Sequence, residues 1–257
     1  MRFSDRPIAV FDSGVGGISV LRELIRLMPG ENYIYFGDSK NAPYGVRSAD
    51  DVCRLTLKNA EHLYQLGIKA LVIACNTATS AAIDILRKTY TSIPVIGIEP
   101  ALKPAVFAKP DSRVLVIATD MTLREQKFHE LLTRYRQMAE IITLPAPGIV
   151  EFVERGETES AGLLAYLTAL FSPYRDKKID SVVLGCTHFP FAANAIQKIL
   201  GADTAVFDGG AGTAKETRRR LMGLNLLRDR HSPGHVTFFN SQKTESMYAL
   251  CEKLLNL

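Results

Sequence analysis

The feature that most constrains this chain is a short apolar run followed by a helical pattern, repeated seven times. The runs are PIAVFD (7–12), NYIYFGD (32–38), ALVIAC (70–75), PVIGIE (94–99), RVLVIAT (113–119), EIITLPA (140–146) and SVVLGC (181–186). After them come helix-like stretches such as ISVLRELIRLM, the segment near 48–66, TATSAAIDILRKTY, TLREQKFHELLTRY, the segment near 158–172 and FAANAIQKIL. Strand then helix, repeated, specifies an α/β fold with a mainly parallel sheet. The runs are continuous rather than alternating, as expected when helices cover both faces of a sheet.

The strand ends carry a weak repeat. Asp12 and Cys75 end strands 63 residues apart, and Thr119 and Cys186 end strands 67 residues apart. The pattern reads as two similar α/β domains facing each other across a cleft, with a boundary near 97–100. The expected division is 1–98 plus 211–257 for one domain and 99–210 for the other. A tail strand at HVTFFN (235–240) and a last helix at TESMYALCEKLL return to the first half.

Composition narrows the function classes. At 257 residues, 47% hydrophobic and 23% charged, the chain reads as a globular enzyme of one large or two ordinary domains. The net charge of +4 is compatible with a small acidic substrate. Arg218, Arg219 and Arg220, with Lys215 before them, read as a solvated helix face, so no nucleic-acid partner is expected. The N-terminal segment lacks the apolar core of a signal peptide, and no apolar run is long enough to span a membrane. A cytoplasmic location follows as an expectation. There Cys53, Cys75, Cys186 and Cys251, which show no CxxC spacing, should be reduced thiols.

In open parallel sheets ligands bind beyond the carboxyl ends of the strands, where helix starts offer unpaired N–H groups and a positive dipole end. Asp12-Ser13, Cys75-Asn76-Thr77, Thr119 and Cys186-Thr187-His188 occupy four such ends. Cys53 and Cys251 lie inside helical patterns and read as small hydrophobes. Cys75 and Cys186 stand in matched settings, where a helix N-terminus or a cation can lower a thiol pKa. A symmetric pair of thiols suits a symmetric reaction. One thiolate removes a proton from one face of a carbon while the other thiol delivers a proton to the opposite face. Asp12 and His188 are placed to orient or poise these thiols. Backbone donors must stabilise the carboxylate as it gains enolate character, and one such donor is worth about 2.7–4 kcal/mol.

Other motifs carry less. DSGVGGIS has Gly14, Gly16 and Gly17 but Ser19 where a dinucleotide fingerprint needs glycine. It reads as a tight turn in which glycines permit unusual φ angles. DGGAGTAKET (208–217) likewise reads as a turn, and Lys215 lacks the spacing of a phosphate-binding loop. His231 and His235 in HSPGH have no nearby partner ligands, so no metal is expected. His62 and His129 read as surface residues on helices.

FDSGVGGISVLREL (11–24), YFGDSKNAPYG (35–45), ACNTATS (74–80), GIEPALKPA (97–105) and LGCTHFPF (184–191) together resemble the aspartate/glutamate racemase superfamily, with DSGxGG and the PYG segment pointing to its glutamate branch. The resemblance implies two α/β domains with the site between them, and catalysis without pyridoxal phosphate, nucleotide or metal. It implies that Cys75 deprotonates D-glutamate and Cys186 L-glutamate, with Asp12 and His188 assisting. Ser13, Tyr44, Gly45, Asn76, Thr77 and Thr187 would hold the amino acid, and Pro43 would shape their loop. It also implies a frequent homodimer and a product, D-glutamate, that feeds peptidoglycan synthesis. The segment VIATDMTLREQKF departs from the family pattern but keeps Thr119, a further expected substrate contact, and Thr122. PAPGIVEFVERGE resembles the family's Pro-rich stretch ending in an acidic residue. Glu154 aligns with that residue, and Glu151 stands close to it.

Three other readings stay open at the level of the residues. A related racemase or isomerase could act on aspartate, a hydantoin or maleate by the same two thiols. A thiol hydrolase could pair Cys75 with His188, leaving Cys186 without a task. A two-lobed binding protein would need no chemistry at all.

Overall fold

The computed structural model describes residues 2–175, 177–229 and 232–257. His231 lies outside them. His235 is exposed, and its carbonyl accepts the amide of Tyr33 where the last strand begins.

Among the described residues, nine strands form two parallel sheets. The first contains β1 (Ile8–Asp12), β2 (Tyr33–Gly37), β3 (Ala70–Ile73), β4 (Val95–Gly97) and β9 (Val236–Asn240), in the order β4-β3-β1-β2-β9. The second contains β5 (Arg113–Ala118), β6 (Glu140–Pro145), β7 (Ser181–Leu184) and β8 (Ala205–Asp208), in the order β6-β5-β7-β8. The two orders correspond: β1 with β5, β2 with β6, β3 with β7 and β4 with β8, with β9 added at one edge. Thus β1, which ends in Asp12, and β5, which leads to Thr119, are each flanked by a strand leading to a cysteine.

Side chains on a strand alternate between faces. Ile8 and Val10 of β1 enter one core, while Ala9 and Phe11 enter another. On β5, Leu115 and Ile117 share the first core with β1, while Val114 and Val116 enter a third. One core is therefore continuous between the two sheets, and each sheet has a private core on its outer face. This is why the inner strands read as unbroken apolar runs. β6 and β8 sit at sheet edges and are partly exposed.

The helices that cover the sheets are α1 (Ile18–Leu27), α2 (Ala49–Gln65), α3 (Asn76–Thr89), α4 (Leu102–Phe107), α5 (Asp120–Arg124), α6 (Gln126–Tyr135), α7 (Gly148–Glu154), α8 (Ala161–Phe171), α9 (Ala193–Leu200), α10 (Gly210–Gly223) and α11 (Glu245–Leu255). Side-chain caps fix several starts: Ser48, Cys75, Thr119, Ser160 and Thr244 each accept the amide three residues on. No helix among the described residues is long and apolar enough to cross a membrane.

Two expected elements differ in the structure. TLREQKFHELLTRY is not one helix, because Glu125 is extended (φ −71°, ψ 140°) and separates α5 from α6. The 208–217 segment is not a turn. It opens α10, whose Thr213, Ala214, Thr217 and Leu221 form a buried stripe at helical spacing, and α10 packs on α1. The four-residue strand β8 carries little apolar signal, since it is a short, half-exposed edge run.

Candidate active site

The carboxyl ends of β1, β3, β5 and β7 converge on one buried cluster. Cys75 caps α3 directly. Its Sγ accepts the Ala78 amide at 3.5 Å and lies 3.5 Å from Ser13 Oγ. Burial pushes this thiol up to about 12, the Asp12 charge adds to that, and the hydrogen bonds from Ser13 and Ala78 oppose it without prevailing. The helix start therefore does not lower the Cys75 pKa, because desolvation of this buried residue outweighs the dipole.

Cys186 is supported differently. A 3-10 turn (Phe189–Ala192) intervenes before α9, so no helix begins on this thiol. Its Sγ lies 3.6 Å from His188 Nδ1, and His188 Nε2 lies 2.7 Å from Glu154 Oε1. Burial alone would lower the His188 pKa, but its hydrogen bonds and charge interactions with Cys186 and Glu154 outweigh burial and hold it well above the ordinary value. Burial would raise Glu154, but the hydrogen bond and charge of His188 and the Val15 amide hold it below the usual carboxylate value. Glu154, not the exposed Glu151, reaches this histidine.

Asp12 is fully buried and joins the halves. Its Oδ2 accepts the Gly14 amide at 3.0 Å, and its Oδ1 accepts Thr187 Oγ1 at 3.1 Å. Ser19 Oγ adds a second link, donating to the carbonyls of Gly16 and Thr187 at 2.9 Å each. The glycines of DSGVGG have ordinary φ angles, against expectation. They are small because the other half comes close. A Cβ on Gly14 would sit 1.9 Å from Glu154 Oε1, and one on Gly16 would sit 2.4 Å from His188 Nδ1.

Across from Cys75, three hydroxyls meet. Thr77 Oγ1 lies 3.2 Å from Thr119 Oγ1 and 3.3 Å from Thr122 Oγ1, and Thr119 donates to Thr122 at 3.0 Å. Gly45 lies against Thr119, where a Cβ would meet its side chain at 2.7 Å. Pro43 precedes this loop. The Tyr44 hydroxyl turns away to donate to Asp38 at 2.7 Å. Asn76 is 4% exposed, and its Oδ1 has no partner among the described residues. Asn76 and Thr122 also line a cavity of about 330 Å³ between α3 and α6, which the cysteines do not reach.

The fold thus gathers Asp12, Ser13, Cys75, Thr77, Thr119, Glu154, Cys186, Thr187 and His188 at neighbouring strand ends in several small hydrogen-bonded groups, with Asn76 and Gly45 beside them. It separates His188 from Cys75 and pairs it with Cys186, which removes the geometric basis of a Cys75–His188 hydrolase. Nothing in the sequence marks Ser19 as a site residue, and Thr122 is only weakly marked. The signal for Thr122 is its place three residues after a capping threonine. Cys53 is partly exposed on α2, and Cys251 is buried on α11. No group of three or more metal-ligand side chains occurs among the described residues.

Known proteins resemble this chain over nearly its whole length. The family model for Asp/Glu/hydantoin racemases matches residues 8–217. A glutamate racemase of Clostridium botulinum (strain Alaska E43 / Type E3) is 49% identical over 251 residues, covering 98% of this chain and 97% of that protein. The crystal structure of a Francisella tularensis glutamate racemase in complex with D-glutamate matches with TM-score 0.85 and 29% identity, covering 99% of this chain and 95% of that one. An Escherichia coli glutamate racemase in complex with L-glutamate and the activator UDP-MurNAc-ala matches with TM-score 0.83 and 31% identity, over 97% and 92% of the two chains.

Proposed function

The chain belongs to the Asp/Glu/hydantoin racemase family and is an isomerase, and on that premise we propose that it interconverts L- and D-glutamate by proton transfer between Cys75, the α-carbon and Cys186. The observation that carries this reading is the correspondence of β3 with β7, which puts one buried thiol at the end of each matched strand.

The substrate lies in the cleft between the 1–98 plus 211–257 lobe and the 99–210 lobe. Toward L-glutamate, Cys75 as thiolate takes the α-proton of D-glutamate, and Cys186 as thiol gives its proton to the opposite face. The roles exchange in the reverse direction. A Cys75 thiol pushed up to about 12 is a poor acid in the resting protein but a strong base once ionised, which suits it to a carbon acid. His188, with both ring nitrogens protonated, donates to the Cys186 sulfur and to Glu154. Asp12 lies close enough to Cys75 for its charge to act on the thiol, and it serves as the auxiliary base on that side. The Thr77, Thr119 and Thr122 hydroxyls, the backbone at 44–45 and the Asn76 amide are the donors and acceptors for the carboxylates and the ammonium. Ser13 and Thr187 complete this shell. The chemistry calls on no group outside the chain.

Glutamate is favoured over aspartate or a hydantoin by the relatives, which are named glutamate racemases at up to 49% identity and include structures with D- or L-glutamate bound. The product would supply peptidoglycan synthesis in the cytoplasm, and a homodimer is the expected assembly. The test is exchange in D₂O followed by NMR and polarimetry. Either enantiomer should gain deuterium at Cα while rotation is lost, and Cys75→Ala and Cys186→Ala should each abolish the inversion. Inversion by the double variant at the rate of the unaltered protein would refute the two-thiol reading. A faster turnover of aspartate than glutamate would move the substrate assignment.

A further inference from the structure

A second hollow, of about 410 Å³, lies behind the 43–45 loop, framed by the turn after β2, by α2 and by the end of β9. Four cationic side chains line it: Lys40, Arg47, Arg54 and Lys58. The one carboxylate in its lining is Asp38, which is 2% exposed. That carboxylate is already committed. It accepts Asn41 Nδ2 at 3.0 Å, Tyr44 OH at 2.7 Å and Asn59 Nδ2 at 3.0 Å. Arg54 is tied to Asp51 at 2.9 Å. Arg47 is anchored through Nε to the Asn41 carbonyl at 2.7 Å, and its Nη groups have no partner among the described residues. Neither Lys40 nor Lys58 has an acidic partner among the described residues.

Like charges gathered around one hollow repel unless a counter-charge compensates them. The fold supplies two counter-charges, the buried Asp38 carboxylate in the lining and Asp51, whose charge acts on both Arg54 and Arg47, and four cations outnumber them. The guanidinium fork of Arg47 matches phosphate oxygens in pairs, and lysine ammonium groups serve phosphate as point charges. The volume is that of a small-molecule site, and Leu55 is the only apolar residue lining it. We propose that this hollow is a binding site for a compact anion with two or more negative charges, of the phosphate monoester or diphosphate class. It is separate from the thiol cleft and stands whether or not the racemase reading does. Through Asp38 it touches the Tyr44 hydroxyl, so a bound anion would lie one layer of side chains behind the loop offered to the amino acid.

The test is calorimetric titration of the full chain with inorganic pyrophosphate at low ionic strength. Saturable one-to-one binding is expected, weakened about tenfold or more in Lys40→Gln/Lys58→Gln, since each charge-assisted contact carries a large share of such affinity. Both lysines are exposed, so folding should be untouched. The control variant Arg219→Gln/Arg220→Gln removes equal charge from α10 and should bind as the unaltered protein does. Absence of saturable binding would overturn the proposal, and so would equal weakening in both variants, which marks diffuse attraction to a basic protein. In NMR titration the Asn41 and Asn59 side-chain amides should shift on adding pyrophosphate, and unmoved signals would equally reject the site.

Discussion

Glu154 Oε1 lies 2.7 Å from His188 Nε2, while the other nitrogen of the same ring lies 3.6 Å from Cys186 Sγ. The carboxylate therefore acts on the thiol only through the imidazole. Its removal should lower the His188 pKa, since both its hydrogen bond and its charge raise it.

Glu154→Gln should therefore shift the basic limb of the activity profile to lower pH and reduce kcat by about tenfold, the effect of roughly one pK unit of lost interaction. The stability of the pair has a matching pH window. Glu154 is held below its ordinary 4.5, so its contribution is present above that value and lost as pH falls through the lower folded value. His188 is held above its ordinary 6.5, so its contribution is present below that value and lost as pH rises through the raised folded value. Denaturant melts across pH, run on both proteins, check both limbs. Parallel curves would remove the pairing from the account.

Cys75 should resist alkylation in the free protein. With its pKa pushed up to about 12, the thiolate fraction at pH 8 is on the order of 10⁻⁴. The rate of iodoacetamide labelling at this residue should keep rising with pH well beyond 9. Asp12→Asn should increase the rate only in part, because burial is the larger cause of the shift and the carboxylate the smaller. Mass spectrometry of the labelled peptide reports it.

Gly14 and Gly16 should respond differently to a methyl group. A Cβ on Gly14 meets the carboxylate end of Glu154, a flexible chain that can swing away, so Gly14→Ala should fold well and lose activity as Glu154→Gln does. A Cβ on Gly16 meets the ring of His188, which is packed and 3% exposed. Gly16→Ala should cost about 1–3 kcal/mol of stability as well as activity. Thermal melts beside kinetic assays separate the two.

At the opposite end of the first sheet, Lys69 is fully buried against Glu31 and also donates to the carbonyls of Ser4 at 2.6 Å and Leu226 at 2.9 Å. Glu31 in turn accepts the Arg228 amide at 2.8 Å. This pair ties the N-terminal turn, β3 and the returning tail together. Lys69→Ala should destabilise by about 3–5 kcal/mol, because it leaves a buried carboxylate without its cation. Lys69→Met with Glu31→Gln should recover much of that loss. Urea titration of the single and double variants decides.

The sequence by itself determined the layered α/β architecture, because a strand buried on both faces must be apolar at every position, and Ile8–Asp12, Ala70–Ile73 and Arg113–Ala118 nearly all are. It also determined that two cysteines stand where such strands stop. It did not reveal β8 or the break at Glu125, which are local and short. Only the tertiary structure decided that His188 serves Cys186 rather than Cys75, that Glu154 rather than Glu151 reaches it, and that Asp12 meets Thr187. The last two contacts join residues 34 and 175 positions apart. They depend on which strand lies beside which and on how closely the halves approach, and no periodicity along the chain encodes a distance across a cleft.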